Sequence, residues 1–170
     1  CADLMGKNIE DLKIVTCHLG SGASITAVKG GKSFDTSMGF TPLEGIMMNT
    51  RSGDIDPAVI EFICNKEGKT VSEVIRMLNK ESGLIGANGK CSDMREVLEN
   101  INDKDVKTSL DMYNHRIKKY LGAYAAVMGG LDAIVFTAGV GEHTPEVREA
   151  VTEGLEFIGV KVDHDKNFNA

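Results

Sequence analysis

Ile14-Val15-Thr16-Cys17-His18-Leu19-Gly20-Ser21-Gly22 decides the reading of this chain, because an apolar strand runs directly into a glycine-rich turn. Glycines just beyond a strand let the backbone turn sharply and aim several N–H groups at one point, an arrangement that suits a phosphate. The strand is expected over residues 12–17. A second is expected over 23–28, where Ile25 and Ala27 alternate with polar neighbours. Lys29-Gly30-Gly31-Lys32 forms a hairpin tip and 33–37 a third strand, so the first part of the chain reads as an antiparallel meander. Two stretches follow, Met38-Gly39-Phe40-Thr41-Pro42-Leu43-Glu44-Gly45 and Thr50-Arg51-Ser52-Gly53-Asp54. They are too irregular for a long element and are expected to line a cleft. Arg51 supplies the planar cation that chemistry on anions commonly uses.

The chain has 170 residues, enough for one domain with a real core, and its 42% hydrophobic and 26% charged residues read as a soluble globular protein. With 25 acidic against 19 basic residues, the net charge of -6 gives nucleic-acid binding no electrostatic footprint. It leaves room for a small anionic ligand held by local positive groups. No signal-peptide pattern and no apolar run of the roughly 18 residues that a spanning helix needs is visible, which favours a cytoplasmic location and no membrane partner. The four cysteines are scattered and form no CxxC pair; Cys17 and Cys64 read as buried reduced thiols. A start at Cys1 rather than methionine reads as an excised piece of a longer chain.

Helices are expected to dominate beyond residue 55. Asp56-Pro57 is a start signal, leading through Val59, Ile60, Phe62 and Ile63. Thr70 with Glu73 makes a capping box for a helix whose apolar side is Val71, Val74, Ile75 and Leu78. Ser92 or Asp93 opens a short helix through Leu98. Residues 105–128 read as one long helix with Leu110, Tyr113, Ile117, Leu121, Tyr124 and Val127 as its apolar stripe, and His115 on it reads as structural. Gly129-Gly130 ends that helix, and 133–137 forms an apolar strand. Gly139-Val140-Gly141 then reads as a tight turn before an amphipathic helix through Val147, Val151 and Leu155, a second place where backbone donors can meet a nucleotide. Residues 159–162 are a possible last strand.

Four segments, HLGSGAS at 18–24, DTSMGFTPLEGIMMNTRSGDIDP at 35–57, SDMRE at 92–96 and GLDAIVFTAGVGEHTPEVR at 130–148, together resemble the acetate kinase family with its close propionate kinase relatives. The resemblance covers essentially the whole chain with motif order and spacing retained. It implies an α/β fold, the ribonuclease H-like ATPase domain of the acetate and sugar kinase/Hsp70/actin superfamily. It also implies that residues 1–170 are the C-terminal nucleotide-binding domain, incomplete at both ends, of an enzyme whose N-terminal domain is missing here. The family reaction moves a phosphoryl group reversibly between ATP and a short-chain carboxylate, giving ADP and an acyl phosphate. By resemblance Arg51 stabilises the transition state, and His18, Leu19, Gly20, Ser21 and Gly22 form the phosphate-facing loop. Asp93, Met94 and Arg95 border the adenosine site, as do Gly141, Glu142, His143, Thr144 and Pro145. Pro42 belongs to the small apolar pocket for the carboxylate's alkyl end. The partners implied are ATP or ADP with Mg2+, acetate or another short-chain carboxylate, and a second copy in a homodimer. Magnesium is expected to travel with the nucleotide, with no complete protein metal site in this chain, and residues 1–170 alone are expected to turn over little.

Two positions depart from the family pattern. Ser21 and His143 each stand where asparagine is common, exchanging an amide for a hydroxyl or an imidazole. A purely structural account of the same residues makes Arg51 a salt-bridge residue, His18 a satisfied loop histidine, and Asp54 and Asp56 caps. Other functional classes compatible with parts of the pattern are a chaperone-like or regulatory nucleotide-binding ATPase and an oligomerisation domain built on 105–128.

Overall fold

The computed structural model describes residues 1–169. Four strands, β1 (Lys13–Leu19), β2 (Ala23–Lys29), β3 (Lys32–Thr36) and β4 (Ala133–Thr137), form one sheet in the order β3-β2-β1-β4. The meander expected from the sequence is present, with β1 antiparallel to β2 and β2 antiparallel to β3. Its side chains follow the period of two: Ala23, Ile25 and Ala27 are buried while Ser24 and Thr26 are only partly covered. β3 is exposed along its whole length, as suits an edge strand carrying Lys32 and Asp35.

β1 runs two residues beyond the predicted end at Cys17. Both neighbours hold the extension: β2 pairs antiparallel with it through His18↔Ser24 and Leu19↔Ala23, and β4 pairs in parallel through to His18↔Thr137. No local signal carries the pairing with β4, because that partner is 119 residues away.

The helices are α1 (Ala2–Met5), α2 (Ala58–Glu67), α3 (Val71–Lys80), α4 (Gly83–Asn88), α5 (Met94–Glu99), α6 (Lys104–Met128), α7 (Ala138–His143), α8 (Pro145–Thr152) and α9 (His164–Phe168), with 3-10 turns at Ile9–Asp11 and Glu156–Ile158. Contacts divide the chain into two compact units, residues 1–37 with 114–170, and residues 38–113. The first unit holds the sheet, α1, α7, α8, α9 and the later part of α6. The second holds α2 to α5 and the first ten residues of α6. No helix among the described residues is long and apolar enough to cross a membrane.

Several helix starts are as the sequence predicts. Asp56 accepts from the Ala58 amide (2.9 Å) just ahead of α2. The Thr70–Glu73 capping box is formed in both directions, and Asp93 caps α5 by accepting from the Arg95 amide. The apolar stripes differ more. On α3 only Val74 and Leu78 are buried, four residues apart, while Val71 is 60% exposed; α2 buries no residue and leaves Phe62 61% exposed. On α6 Leu110, Tyr113, Ile117, Leu121 and Tyr124 are buried within this chain, and only Val127 of the predicted stripe is exposed. That stripe therefore belongs to the core and is not a free face for a second copy.

One short helix was not anticipated, and two short segments correct the sequence reading. Gly83-Leu84-Ile85-Gly86-Ala87-Asn88 is helical although two glycines mask it; Asn88 ends it by donating to Cys91 O and Ser109 Oγ and accepting from the Lys90 and Cys91 amides. Gly139-Val140-Gly141 lies inside α7 instead of forming a tight turn. Residues 159–162 are not a strand, and no ladder pairs them. Of the cysteines, Cys17 and Cys91 are buried, Cys64 is half-buried and all are free.

Candidate functional site

In the first unit, the parallel pairing of β1 and β4 sets the ends of both strands, and the loops that leave them, side by side. Open α/β sheets bind ligands beyond the carboxyl ends of such strands. His18, exposed near the end of β1, has its Nδ1 3.0 Å from Thr137 Oγ1 at the end of β4, a contact that follows directly from their register. The ring is thereby oriented, with Nε2 directed away from the sheet's own partner. Beyond it the Gly20 amide donates to Gly22 O (3.2 Å), closing a compact loop with Ser21 exposed at its tip. This loop passes Ala138: a Cβ on Gly20 would lie 3.6 Å from that of Ala138. Leu19 points the other way and is fully buried. Beneath the loop, burial pushes the Cys17 thiol up to about 12, so it stays a neutral core thiol.

The chain leaves β4 through Ala138, a non-glycine residue at φ 65°, a conformation costing roughly 1–2 kcal/mol. Its amide donates to Glu142 Oε1 (2.9 Å), so Glu142 closes the first turn of α7. Gly141 is buried and packs on the strands, where a Cβ would stand 3.5 Å from Cys17 O. His143 is exposed, Thr144 is buried, and Pro145 opens α8. Arg148 holds this bend: Nη1 donates to Gly141 O (3.1 Å) and Glu142 O (2.7 Å), while Nε and Nη2 donate to Asn167 Oδ1 (2.7 Å) and Asn167 O (2.6 Å).

In the second unit, Arg51 stands on a loop closed at its ends by two hydrogen bonds, the Gly45 amide to Asp54 Oδ1 (2.9 Å) and the Asp54 amide to Gly45 O (2.9 Å). Asp54 is thus a loop clasp. Arg51 is half-buried and, among the described residues, pairs with no carboxylate; its Nη1 lies 3.6 Å from Met48 Sδ. A cation left half-buried without a counter-ion is an open place for an anion. Pro42 is exposed, beside Phe40, which is also exposed. A groove in the same unit is lined by Phe40, Leu43, Ile55, Pro57, Ile60 and Ile75 among others, and Pro42 is not among its lining residues.

Asp93 both caps α5 and grips Arg95 through Oδ1–Nε (3.0 Å) and Oδ2–Nη2 (3.1 Å). The Arg95 guanidinium beside Asp93 holds its carboxyl below the usual carboxylate range. Arg95 is highly exposed, whereas Met94 is buried and turned into the core. Among the described residues no hydrogen bond or ion pair links Arg51 to Pro42, Asp93 or Arg95. Nor do three or more His, Cys, Asp or Glu residues gather as a metal site.

The profile described as the Acetokinase family matches residues 1–170. The chain belongs to the acetokinase family. Acetate kinase of Clostridium beijerinckii is 54% identical over 169 residues, covering 98% of this chain and 42% of that protein. Among solved structures, Porphyromonas gingivalis acetate kinase superposes with a TM-score of 0.95 at 45% identity, over 98% of this chain and 42% of that one. A propionate kinase from Francisella tularensis gives a TM-score of 0.91 at 42% identity, over 99% and 44%. The chain thus spans less than half the length of these relatives. The mixed α/β fold is that of the acetokinase family and its ribonuclease H-like ATPase superfamily.

Within this acetokinase family chain, sequence reasoning left three residues without a role that the geometry gives them. Thr137 orients His18, Arg148 ties the carbonyl end of α7 to α9, and Gly83 touches the backbone of Arg51. Arg148 lies at the end of the family segment 130–148, and Thr137 lies within it, so both were in view. What was missing was the partner of each, which only the fold supplies. The departures Ser21 and His143 are both exposed.

Proposed function

We propose that the full-length protein carrying this chain is an acetate kinase, transferring a phosphoryl group reversibly from ATP to acetate to give acetyl phosphate and ADP. The observation that carries the reading is the family match over residues 1–170. The unpaired, half-buried Arg51 at the family's arginine position supports it further. Phosphoryl transfer asks for little covalent work from the protein. It asks for anions held in line and for neutralisation of charge on the equatorial oxygens.

In this reading Arg51 is the catalytic residue, its planar fork reaching both carboxylate and phosphoryl oxygens. His18 donates to phosphate through Nε2, which this reading assigns by having the Thr137 hydroxyl donate to Nδ1 across their 3.0 Å contact. Ser21 and Gly22 offer backbone amides to phosphate, Gly20 shapes the loop by donating its own amide to Gly22 O, and Leu19 supports them from the core. The segments Asp93 to Arg95 and Gly141 to Pro145 border the adenosine. Met94 serves there as packing beneath α5, with Asp93 and Arg95 as the exposed polar pair. Pro42 contributes to the wall of the alkyl pocket.

Magnesium is assigned to the nucleotide phosphates. The described residues offer no cluster that fits it, and none of the roles above depends on it. Residues 1–170 form the C-terminal nucleotide-binding domain in this reading, and alone they turn over little. A homodimer in the cytoplasm is part of the same proposal. It rests on the family resemblance, since the α6 stripe first offered for it is buried.

A second acceptor is favoured by one observation, the propionate kinase similarity at 42% identity. An acyl-phosphate assay on the full-length protein with acetate, propionate and butyrate orders the acceptors. Absence of acyl phosphate from all of them, with ATP bound, would sink the kinase reading in favour of a nucleotide-binding ATPase. No nucleotide binding at all would favour an oligomerisation module.

A further inference from the structure

Gly83, the first residue of α4, has φ 63° and is buried. A Cβ placed there would lie 2.2 Å from Met48 O, 2.8 Å from Arg51 O and 2.9 Å from Arg51 N. All three are backbone atoms, which cannot swing aside as a flexible side chain can. They belong to a tight turn in which the Met48 amide donates to Arg51 O (3.0 Å). The Leu84 amide holds that turn from outside by donating to Met48 O (2.9 Å), and the Ser82 amide donates to Thr50 O (3.0 Å). Thr50 Oγ1 adds a bond to Asn79 O (2.9 Å). The chain from Asn79 to Leu84 therefore straps the backbone of residues 48–51, with Gly83 in the middle of the contact.

The other end of the same helix supplies the contrast. Gly89 also has a positive φ, 67°, yet a Cβ there would meet no atom within 4 Å. Both ends of α4 require the left-handed conformation, but only Gly83 touches the arginine loop. From this we infer that Gly83 is a positioning residue for Arg51: the absence of its side chain sets where the guanidinium stands. The inference rests on the reading of Arg51 as the catalytic residue.

The test uses the full-length protein and steady-state kinetics. Gly83→Ala should lower kcat by about 100-fold, the scale of a displacement of roughly 1 Å at a reacting group, with the nucleotide KM changed by less than about threefold. Gly89→Ala should lose thermal stability through the same backbone strain but keep kcat within about threefold of wild type. In the double variant Gly83→Ala/Arg51→Ala, kcat should be no lower than in Arg51→Ala alone, since a residue acting through Arg51 has nothing left to displace.

Should Gly83→Ala fail to fold, Thr50→Val removes one strap without changing shape. It should cost about tenfold in kcat, with Thr50→Ser restoring the rate. A Gly83→Ala or Thr50→Val enzyme within threefold of wild-type kcat overturns the inference, as do losses that multiply with Arg51→Ala. A near-normal kcat in Arg51→Ala overturns instead the assignment of Arg51 on which it rests.

Discussion

His18 and Arg51, one from each compact unit, are held in opposite ways. His18 sits in register on a strand, and its ring is set by the residue directly across the parallel pair. Arg51 sits in no regular element; its backbone is fixed by hydrogen bonds from the segment around residues 79–84 and by a glycine that leaves no room for a methyl. Sheet register spreads a displacement over many ladder bonds, whereas a strapped loop concentrates it at a few contacts. The arginine should thus be the more sensitive of the two, both to direct replacement and to changes in its supports.

The largest expected effect is direct. In the full-length protein Arg51→Ala should reduce acyl-phosphate synthesis by at least about 100-fold, or about 2.7 kcal/mol of transition-state stabilisation. ADP affinity, measured by separate titration, should change much less. Lysine should rescue poorly, because it keeps the charge without the planar fork. Equal losses in turnover and ADP binding would move Arg51 to nucleotide binding, and would remove the contrast with His18.

The same division explains what could be read in advance. The meander, the Thr70–Glu73 and Asp93 caps and the long α6 follow from local periodicity and side-chain chemistry, and all are present. The candidate site was legible only as motifs, that is, as residues proposed by family resemblance. How they are held was not legible. The β1–β4 pairing joins residues 119 apart, and α4 hides behind glycines whose need is tertiary, at Gly83 for close approach to Arg51. The predicted strand over 159–162 failed because a short apolar run without a pairing partner gains no ladder. The α6 stripe was correctly seen as apolar, yet its destination, core or second copy, is not encoded in spacing.

Arg148 tests whether the sheet unit has a strap of its own. Arg148→Met removes every donor to the Gly141 and Glu142 carbonyls while keeping much of the side chain's bulk. A loss of about 2 kcal/mol is expected, comparable to one or two charge-assisted hydrogen bonds. It should be read as roughly 30-fold faster opening at the Thr144 amide in hydrogen exchange. Unchanged exchange would mean that α7 is held by packing on the strands alone. A smaller effect is expected at Thr137. Thr137→Val frees the His18 ring and should raise the nucleotide KM by about fivefold, near 1 kcal/mol, with Thr137→Ser close to wild type. If Thr137→Val matched the loss in Arg51→Ala, register would be as fragile a support as the loop straps.

The smallest effect lies at α9, which Arg148 anchors through Asn167. His164 Nδ1 lies 2.7 Å from Glu149 Oε1, joining α9 to α8, and its ring packs on Phe168 at 4.7 Å between centroids. The hydrogen bond with Glu149, then the charges of Glu149 and Asp165, raise the His164 pKa above its ordinary value of 6.5. A histidine whose folded pKa is raised stabilises the folded form fully below the unfolded pKa, and that contribution is lost as pH rises through the folded one. Docking of α9 should therefore be firmest near pH 6 and weaken towards pH 8, the reverse of what a paired carboxylate would give. Both partners are largely exposed, so solvent screening keeps the change small, about twofold to threefold in protection of the Asn167 amide after correction for intrinsic exchange. His164→Gln should flatten the profile at the level wild type reaches near pH 8. A wild-type profile that is flat, or that rises with pH, would show that the ion pair does not hold α9 and that the Arg148–Asn167 contacts carry it alone.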